Sequence, residues 1–418
     1  MTEQARLPVE AAISRIRAAV PSLGAETVAV RDALGRVLAE PVIARYTHPA
    51  WRNSAMDGYV VYAADLRGAS ADTPVTLSVG GTIAAGDAPP SSIAPGTAWR
   101  IMTGAPVPDG IDTVVRVEDS DAGLTIVALR SDRDAGRNVR RRGEDFVEGQ
   151  QLLSSGTELG AAHLGVAAGN GCTTLTVVRR PRVAILSSGN ELVDVDQFDD
   201  VLAGRRIVNT NSYALAAAVT EAGGEPITLA VARDDPAAIT ERITSAPPFD
   251  VLLTCGGISV GAFDYTRDVV QRLGATLEFW RVRMRPGGPF GFGMLDQRPW
   301  FGLPGNPVSA LVTFEVFVRP ALRQMGGHTL LDRAMRTVRL AEPVTTGGGL
   351  THFLRAIVTE PGVAHLTGPQ GSGLLTSMAM AHGLLIVPHD VSYLPAGATA
   401  PVMLVQPGHT PMVDSWTY

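Results

Sequence analysis

The sequence predicts a multidomain chain of mixed class, in which one doubly wound, mostly parallel α/β domain is combined with smaller β-rich domains. Three observations predict it. From Arg182 to about Met325, apolar strand-like runs alternate with helix-period segments across Gly-rich loops, the pattern of a parallel sheet covered by helices on both faces. From Ala50 to Gly143, short β-type runs (PVTLSVGG, TAWRIM, DTVVRVED) sit between Pro, Gly and Asp clusters. After Leu331 the pattern is β-rich again, with THFLRAIV, GLLIVPH and APVMLVQP, and reads as a separate C-terminal β domain.

Each element has a local reason. Residues Pro8 to Val20 read as a helix, because Val9, Ala12, Ile13, Ile16 and Val20 recur at helical spacing. A strand-like stretch with Val28, Val30, Val37 and Leu38 follows, and segment 141–178 ends in the strand-like CTTLTVV. In the α/β region, VAILSS is a buried strand running into a Gly loop. NSYALAAAVTEAGG is a helix with Asn211 as N-cap and Gly223 as its stop. PITLAVA and DVLLTCGG are the next two strands, and DYTRDVVQRLG is a helix with Val269, Val270 and Leu273 on one face. RPWFGLPGNPVSALVTFEVFVRPAL gives a further strand, a tight loop and one long helix.

Composition bounds the function. The chain has 418 residues, of which 45% are hydrophobic and 18% charged, an ordinary globular balance. A net charge of −6 argues against a nucleic-acid binder, which would carry a basic footprint. All 35 basic residues are Arg, so any anion site must use guanidinium groups, backbone N–H groups or a metal. Two cysteines, Cys172 and Cys255, give neither a metal motif nor a disulfide framework, which fits a reduced, cytoplasmic setting. The N-terminal segment lacks the apolar stretch of a secretory signal, and no apolar run reaches membrane-spanning length.

The candidate chemistry sits at predicted strand ends. Glu191, Asp234 and Asp264 each follow a strand of the α/β domain. Strand C-termini of such a sheet share one crevice, where three hard oxygen donors could hold Mg2+ with water and phosphate completing its shell. Taken singly, each is equally well a solvated loop acid. CGGISVG (255–261), with Gly256, Gly257 and Ser259, is a Gly-dense turn that lets backbone N–H groups approach an anion. In LPGNPVSA (303–310), Asn306 suits the N-cap and Pro307 the first helical position, so this helix starts at the same edge. MRPGGP (284–289) offers Arg285, and Arg281 and Arg283 would share its face of a strand by period two. In the N-terminal half, WRNSAMDGY (51–59), RIMTGAPVP (100–108) and RRRGEDF (140–146) stand out. Composition alone does not separate the last from a solvated charge cluster.

Together these motifs, with SSGNEL, NTNSY, QGSG near Ser372 and AHGLLIVP, occur in an order that resembles the molybdopterin molybdotransferase family (MoeA and the gephyrin E domain) over nearly the whole chain. The resemblance implies an elongated linker domain (22–47 and 141–178), an inserted β-rich domain (48–140), a molybdopterin-binding α/β domain (7–21 and 179–326) and a barrel-like C-terminal domain (331–407). It implies a transferase of molybdenum cofactor biosynthesis that uses adenylylated molybdopterin and molybdate with Mg2+ and releases AMP. It implies a homodimer whose active site is shared between subunits, with a molybdopterin adenylyltransferase and molybdoenzyme apoproteins as partners, and with neither nucleic acid nor membrane. On that reading Glu191, Asp234 and Asp264 are the metal-proximal acids. Asp57, Thr103, Glu144 and Asp145 form the contributing face of the second domain and share the catalytic role with Glu191 and Asp264. The substrate is held by Ser188, Gly189, Asn190, Gly256, Gly257, Ser259, Arg285, Pro304, Gly305, Asn306 and Ser309.

The sequence departs from the family pattern in four places. T-G-D-E-L is here Ser188-Gly189-Asn190-Glu191-Leu192, and K-P-G-K-P is Arg285-Pro286-Gly287-Gly288-Pro289. G-R-x-(D/E)-F is Gly349-Leu350-Thr351-His352-Phe353, and the Ser-His after Q-G is Ser372-Gly373. These changes keep open an alternative, a diverged paralogue that binds molybdopterin or nucleotide as carrier or scaffold with little turnover. Molybdate and tungstate are not distinguished by sequence.

Overall fold

The computed structural model describes residues 6–256, 265–360 and 362–406. Its central sheet has six strands in the order Glu225–Thr228, Arg182–Ser187, Val251–Cys255, Arg298–Leu303, Gly291–Leu295 and Thr276–Phe279. The first four run parallel, and the last two add an antiparallel edge. The sheet is covered on both faces, as its unbroken apolar strands require. Period two divides them between two cores. Val183, Ile185, Val251 and Leu253 face the helices Val9–Ala19, Thr210–Glu221 and the one beginning at Pro307. Ala184, Leu186 and Leu252 face Ile239 and Ile243 of helix Pro236–Thr244 and Val269 and Val270 of helix Tyr265–Arg272.

Four local expectations change. The N-cap of helix Thr210–Glu221 is Asn209, whose side chain accepts the Ser212 N–H at 3.3 Å. Asn211 lies inside the helix, and its amide donates to the Gly305 carbonyl at 2.7 Å and to Cys255 Sγ at 3.0 Å. PITLAVA is a strand only over Glu225–Thr228, at the sheet edge. The long helix after Pro307 is α over Pro307–Thr313, a π turn over Phe314–Val318 and α again over Arg319–Met325. Pro320 supplies the reason, since its ring clashes with the carbonyl four residues back and a wider turn relieves this without breaking the helix. Finally, Arg281, Arg283 and Arg285 do not share one strand face. Only Met284–Arg285 is extended, because the Met284 N–H turns back to the Val282 carbonyl at 3.0 Å.

In the N-terminal half, a five-stranded mixed sheet runs Thr113–Arg116, Gly58–Val61, Thr97–Ile101, Val75–Ile83, Ile126–Leu129. Ala25–Ala29 pairs antiparallel with Thr174–Val178, which brings residues on either side of this sheet's sequence together. At the C-terminal end, Thr351–Glu360, Val363–Leu366, Met335–Leu340, Thr399–Leu404 and Gly383–Val387 close into a five-stranded barrel, the last strand pairing back onto the first. Met284–Arg285 pairs parallel with Thr351 and His352 on the barrel's outside. That pairing fixes the barrel against the α/β layer. Among the described residues, no helix is long and apolar enough to cross a membrane.

Candidate active site

The loops that leave the parallel strands are laced to one another by backbone bonds. The Ser188 N–H donates to the Cys255 carbonyl at 3.1 Å, the Gly189 N–H to the Ala232 carbonyl at 3.1 Å, and the Gly256 N–H to the Leu303 carbonyl at 3.2 Å. Gly256 has φ +94°, and a Cβ there would lie 2.7 Å from the Ser188 carbonyl oxygen, so only glycine allows this approach. The Asn190 N–H donates to Asp234 Oδ2 at 3.2 Å, and the Asp234 N–H donates to Asn190 Oδ1 at 3.3 Å. Glu191 is exposed and folds its carboxylate over Gly189, where a Cβ would sit 2.9 Å from both oxygens.

Glu191, Asp234 and the Asn190 amide oxygen thus put hard oxygen donors at one sheet edge. This set fits Mg2+, which keeps several waters and takes few protein ligands. The third expected acid, Asp264, and the loop residues Gly257 and Ser259 lie outside the described residues. Among the described residues no three His, Cys, Asp or Glu side chains cluster as a metal site.

A second feature adjoins the first through residues 303–309. A cleft of about 600 Å³ is lined by Arg281, Arg285, Asn306, Ser309, Gln370 and Ser372, among others. It joins three motifs distant in sequence: MRPGGP, LPGNPVSA and QGSG. Gly287 (φ +95°) packs where a Cβ would meet Thr313 Cγ2 at 2.4 Å, and the Val308 N–H donates to the Ser372 carbonyl at 3.1 Å. Asn306 occupies the N-cap position, but its side chain makes no capping bond. Pro304 is buried and Gly305 is exposed beside it. Arg283 is not in the cleft lining; its guanidinium donates to the Gly349 carbonyl at 3.2 Å.

Sequence reasoning missed two residues here, Arg6 and Arg355, and quoted a third, Gln370, only within the QGSG motif. Arg6 reaches the cleft because Leu7 bridges to Val282. Gln370 joins the lining from the barrel side. Arg355, fully buried, ties down the loop that carries Gln370 and Ser372. Its Nε donates to Ser377 Oγ at 2.9 Å, and its Nη2 donates to the Pro369 and Gly371 carbonyls at 3.0 and 3.1 Å. A lone Arg inside the apolar run THFLRAIV was the available signal. Burial pulls the Arg355 guanidinium below its ordinary pKa. His352, opposite Arg285 in the strand pairing, is also buried; desolvation first, and then the Arg285 charge, lower its pKa.

The N-terminal residues form a separate group. Asp57 Oδ1 accepts the Thr103 backbone N–H at 2.6 Å and the Thr103 hydroxyl at 2.7 Å. These two bonds, the backbone one foremost, hold its exposed carboxyl below the ordinary value. Glu144 Oε2 accepts the Arg141 N–H at 2.8 Å, closing the RRRGED turn, and the Asp145 N–H donates to the His48 carbonyl at 3.1 Å. The Asn53–Arg140 pairing places this turn beside the strand that leads to Asp57. Within one chain, no hydrogen bond or ion pair among the described residues joins this group to the strand-end loops.

Fold and site define a multidomain α/β protein with Gly-rich loops joined at the carboxyl edge of a parallel sheet and a closed barrel flanking a second cleft. Residues 7–171 match the MoeA N-terminal region (domain I and II), residues 184–324 a probable molybdopterin binding domain, and residues 337–405 the MoeA C-terminal region (domain IV). A molybdopterin molybdenumtransferase 2 of Mycobacterium tuberculosis is 41% identical over 380 residues, covering 89% of this chain and 93% of that protein. A molybdopterin molybdenumtransferase of Bacillus subtilis is 33% identical, covering 96% and 94%. The crystal structure of a molybdopterin biosynthesis MoeA protein from Pyrococcus horikoshii superimposes with a TM-score of 0.80 at 27% identity, covering 96% of this chain and all of that one. The chain belongs to the MoeA family of molybdopterin molybdenumtransferases.

Proposed function

We propose that the chain is a molybdopterin molybdenumtransferase of molybdenum cofactor biosynthesis, using adenylylated molybdopterin and molybdate. The observation that carries this is the junction of the strand-end loops with the arginine-lined cleft through residues 303–309, which sets a phosphate-type site beside an oxyanion site. Water attacks the adenylyl phosphorus, the phosphoanhydride breaks and AMP leaves. The two dithiolene thiolates then displace oxygen from molybdate, which departs as water with protons from solvent. Bound Mg2+ would supply charge neutralisation at the phosphates. Glu191 and Asp234 fix the orientation at the sheet edge. Arg281, Arg285 and the Ser309 hydroxyl serve the tetrahedral dianion, which needs cationic and hydroxyl donors. On this reading Asp57 with Thr103, and Glu144 with Asp145, face this edge from a second subunit of a homodimer; within one chain, no hydrogen bond or ion pair among the described residues joins them to it.

One observation favours a carrier as the second reading: the Asn190 amide is bonded to the Asp234 backbone at a position where a further carboxylate would add charge. Purified protein with adenylylated molybdopterin, Mg2+ and molybdate decides between the two. AMP release supports the transferase, whereas tight nucleotide binding with no AMP at any molybdate concentration supports the carrier. Glu191→Gln should lower turnover without lowering the melting temperature.

A further inference from the structure

The cleft between MRPGGP, LPGNPVSA and QGSG has charge of one sign only. Arg6, Arg281 and Arg285 line it, and its lining holds neither Asp nor Glu. Among the described residues, none of these guanidinium groups has a hydrogen-bond or ion-pair partner. Cations thus converge without a counter-charge in a chain whose net charge is −6. Like charges held around one concave site repel, and a bound anion relieves that repulsion. Ser309 is buried in the same wall, and among the described residues its hydroxyl has no partner.

Arg281 and Arg285 belong to the segment that builds the cleft, whereas Arg6 is brought in from the N-terminal segment. The Leu7 N–H donates to the Arg281 carbonyl at 2.9 Å, and the Arg283 N–H donates to the Leu7 carbonyl at 2.8 Å. These bonds make the parallel bridge between Leu7 and Val282. Leu7 packs against the α/β core, so alternation along an extended segment turns Arg6 the other way, into the cleft lining. Helix Val9–Ala19 follows at once and buries Val9, Ala12 and Ile16, which holds the segment from its other end. The backbone and Leu7 therefore set the position, and replacing the Arg6 side chain leaves both anchors in place.

We propose, on the reading of this cleft as the oxyanion site, that Arg6 is a further molybdate-binding and specificity-determining residue, supplied by the N-terminal segment. A tetrahedral dianion presents four oxygens. Arg281, Arg285 and the Ser309 hydroxyl serve some of them, and Arg6 adds another planar fork of donors. Its charge also raises the local concentration of anions in the cleft. Selection by charge follows, because a dianion gains more from each added guanidinium than a monoanion of the same shape.

The test titrates the full-length protein by calorimetry with molybdate alone and with perrhenate alone, a tetrahedral monoanion. Arg6→Ala should weaken molybdate about tenfold, the lower end for a charge-assisted hydrogen bond because Arg6 is exposed, and should weaken perrhenate less. Arg6→Lys should recover part of the loss, since it keeps the charge and loses the planar fork. Arg283→Ala is the control, because that guanidinium is on the same segment but donates to the Gly349 carbonyl and is outside the lining; molybdate should stay within about twofold of wild type. Added salt should narrow the gap between wild type and Arg6→Ala. In turnover, Arg6→Ala should raise the molybdate KM and leave kcat for AMP release and the melting temperature unchanged, whereas a merely structural role would lower both. Arg6 loses the role if Arg6→Ala binds molybdate within about twofold of wild type, if Arg283→Ala weakens it equally, or if molybdate does not bind the wild type at all. The two readings fail separately. AMP release with no dependence of molybdate affinity on Arg6 removes Arg6 and keeps the transferase. Molybdate binding that depends on Arg6, without AMP release, keeps Arg6 and removes the transferase.

Discussion

Gly256→Ala probes whether the close contact between strand-end loops sets the geometry of the site. Two costs add at this position. A side chain at φ +94° is strained, and its Cβ would stand 2.7 Å from the Ser188 carbonyl oxygen, a backbone atom that cannot swing aside. The dihedral strain and the forced contact together amount to about 2–5 kcal/mol, or a melting temperature lower by about 5–15 °C for a unit of this size. Relief requires the Ser188–Glu191 loop to move by several tenths of an ångström, and that loop carries Asn190 and Glu191. Displacement on this scale lowers turnover by about 10- to 100-fold. Gly274→Ala is the control, because φ there is +98° but nothing lies within 4 Å of the added Cβ. It should show the dihedral cost alone, with AMP release unchanged. Thermal unfolding and AMP release on both variants decide the matter. If Gly256→Ala behaves like Gly274→Ala in both assays, the loop contact does not organise the site.

Three further outcomes are expected. Thr103→Val removes the hydroxyl that donates to Asp57 at 2.7 Å but keeps the backbone donor. The Asp57 carboxyl should therefore titrate at higher pH than in the wild type, seen as an upward move of the acid limb of the pH–rate profile; an unmoved limb would mean that Asp57 does not titrate in turnover. Gln297→Gly should stabilise the chain by about 1 kcal/mol, since Asp296 and Gln297 form the two-residue turn between Gly291–Leu295 and Arg298–Leu303 with φ +48° and +61°; a lower melting temperature would contradict this. His328, half-buried and bonded through Nδ1 to Glu158 at 2.9 Å, is held below its ordinary pKa of 6.5 chiefly by desolvation. Its neutral form gives stability that is complete above about pH 6.5 and is lost as pH falls through the lower folded-state value. His328→Gln should flatten that acid-side loss, and parallel melting curves from pH 8 to pH 5.5 would refute it.

What the sequence revealed and what it concealed follow from the range of the forces involved. Burial on both faces of a parallel sheet leaves unbroken apolar runs, so VAILSS, DVLLTC and RPWFGL announced themselves, and with them the crevice holding Glu191 and Asp234. Caps are less legible. In Asn209-Thr210-Asn211-Ser212 either amide suits the role, and tertiary demand decides: the Gly305 carbonyl and Cys255 Sγ take Asn211, leaving Asn209 to cap. The arginine-lined cleft was only half readable. Period two assumed an extended chain through Arg281, Arg283 and Arg285, but the backward bond from Met284 to Val282 turns Arg283 toward the barrel. Arg6 and Arg355 enter through pairings between residues far apart in sequence, Leu7 with Val282 and the barrel strand at Thr351 with Met284. Local propensity carries no trace of such pairings. This also bears on the departures at Asn190 and Gly288. A cation missing from the RPGGP loop is not a cation missing from the cleft, because the fold delivers Arg6 from another segment to the same lining. The charge of this cleft is therefore set by the assembled lining and not by one motif, and a motif-level loss of lysine does not by itself strip the cleft of cationic groups.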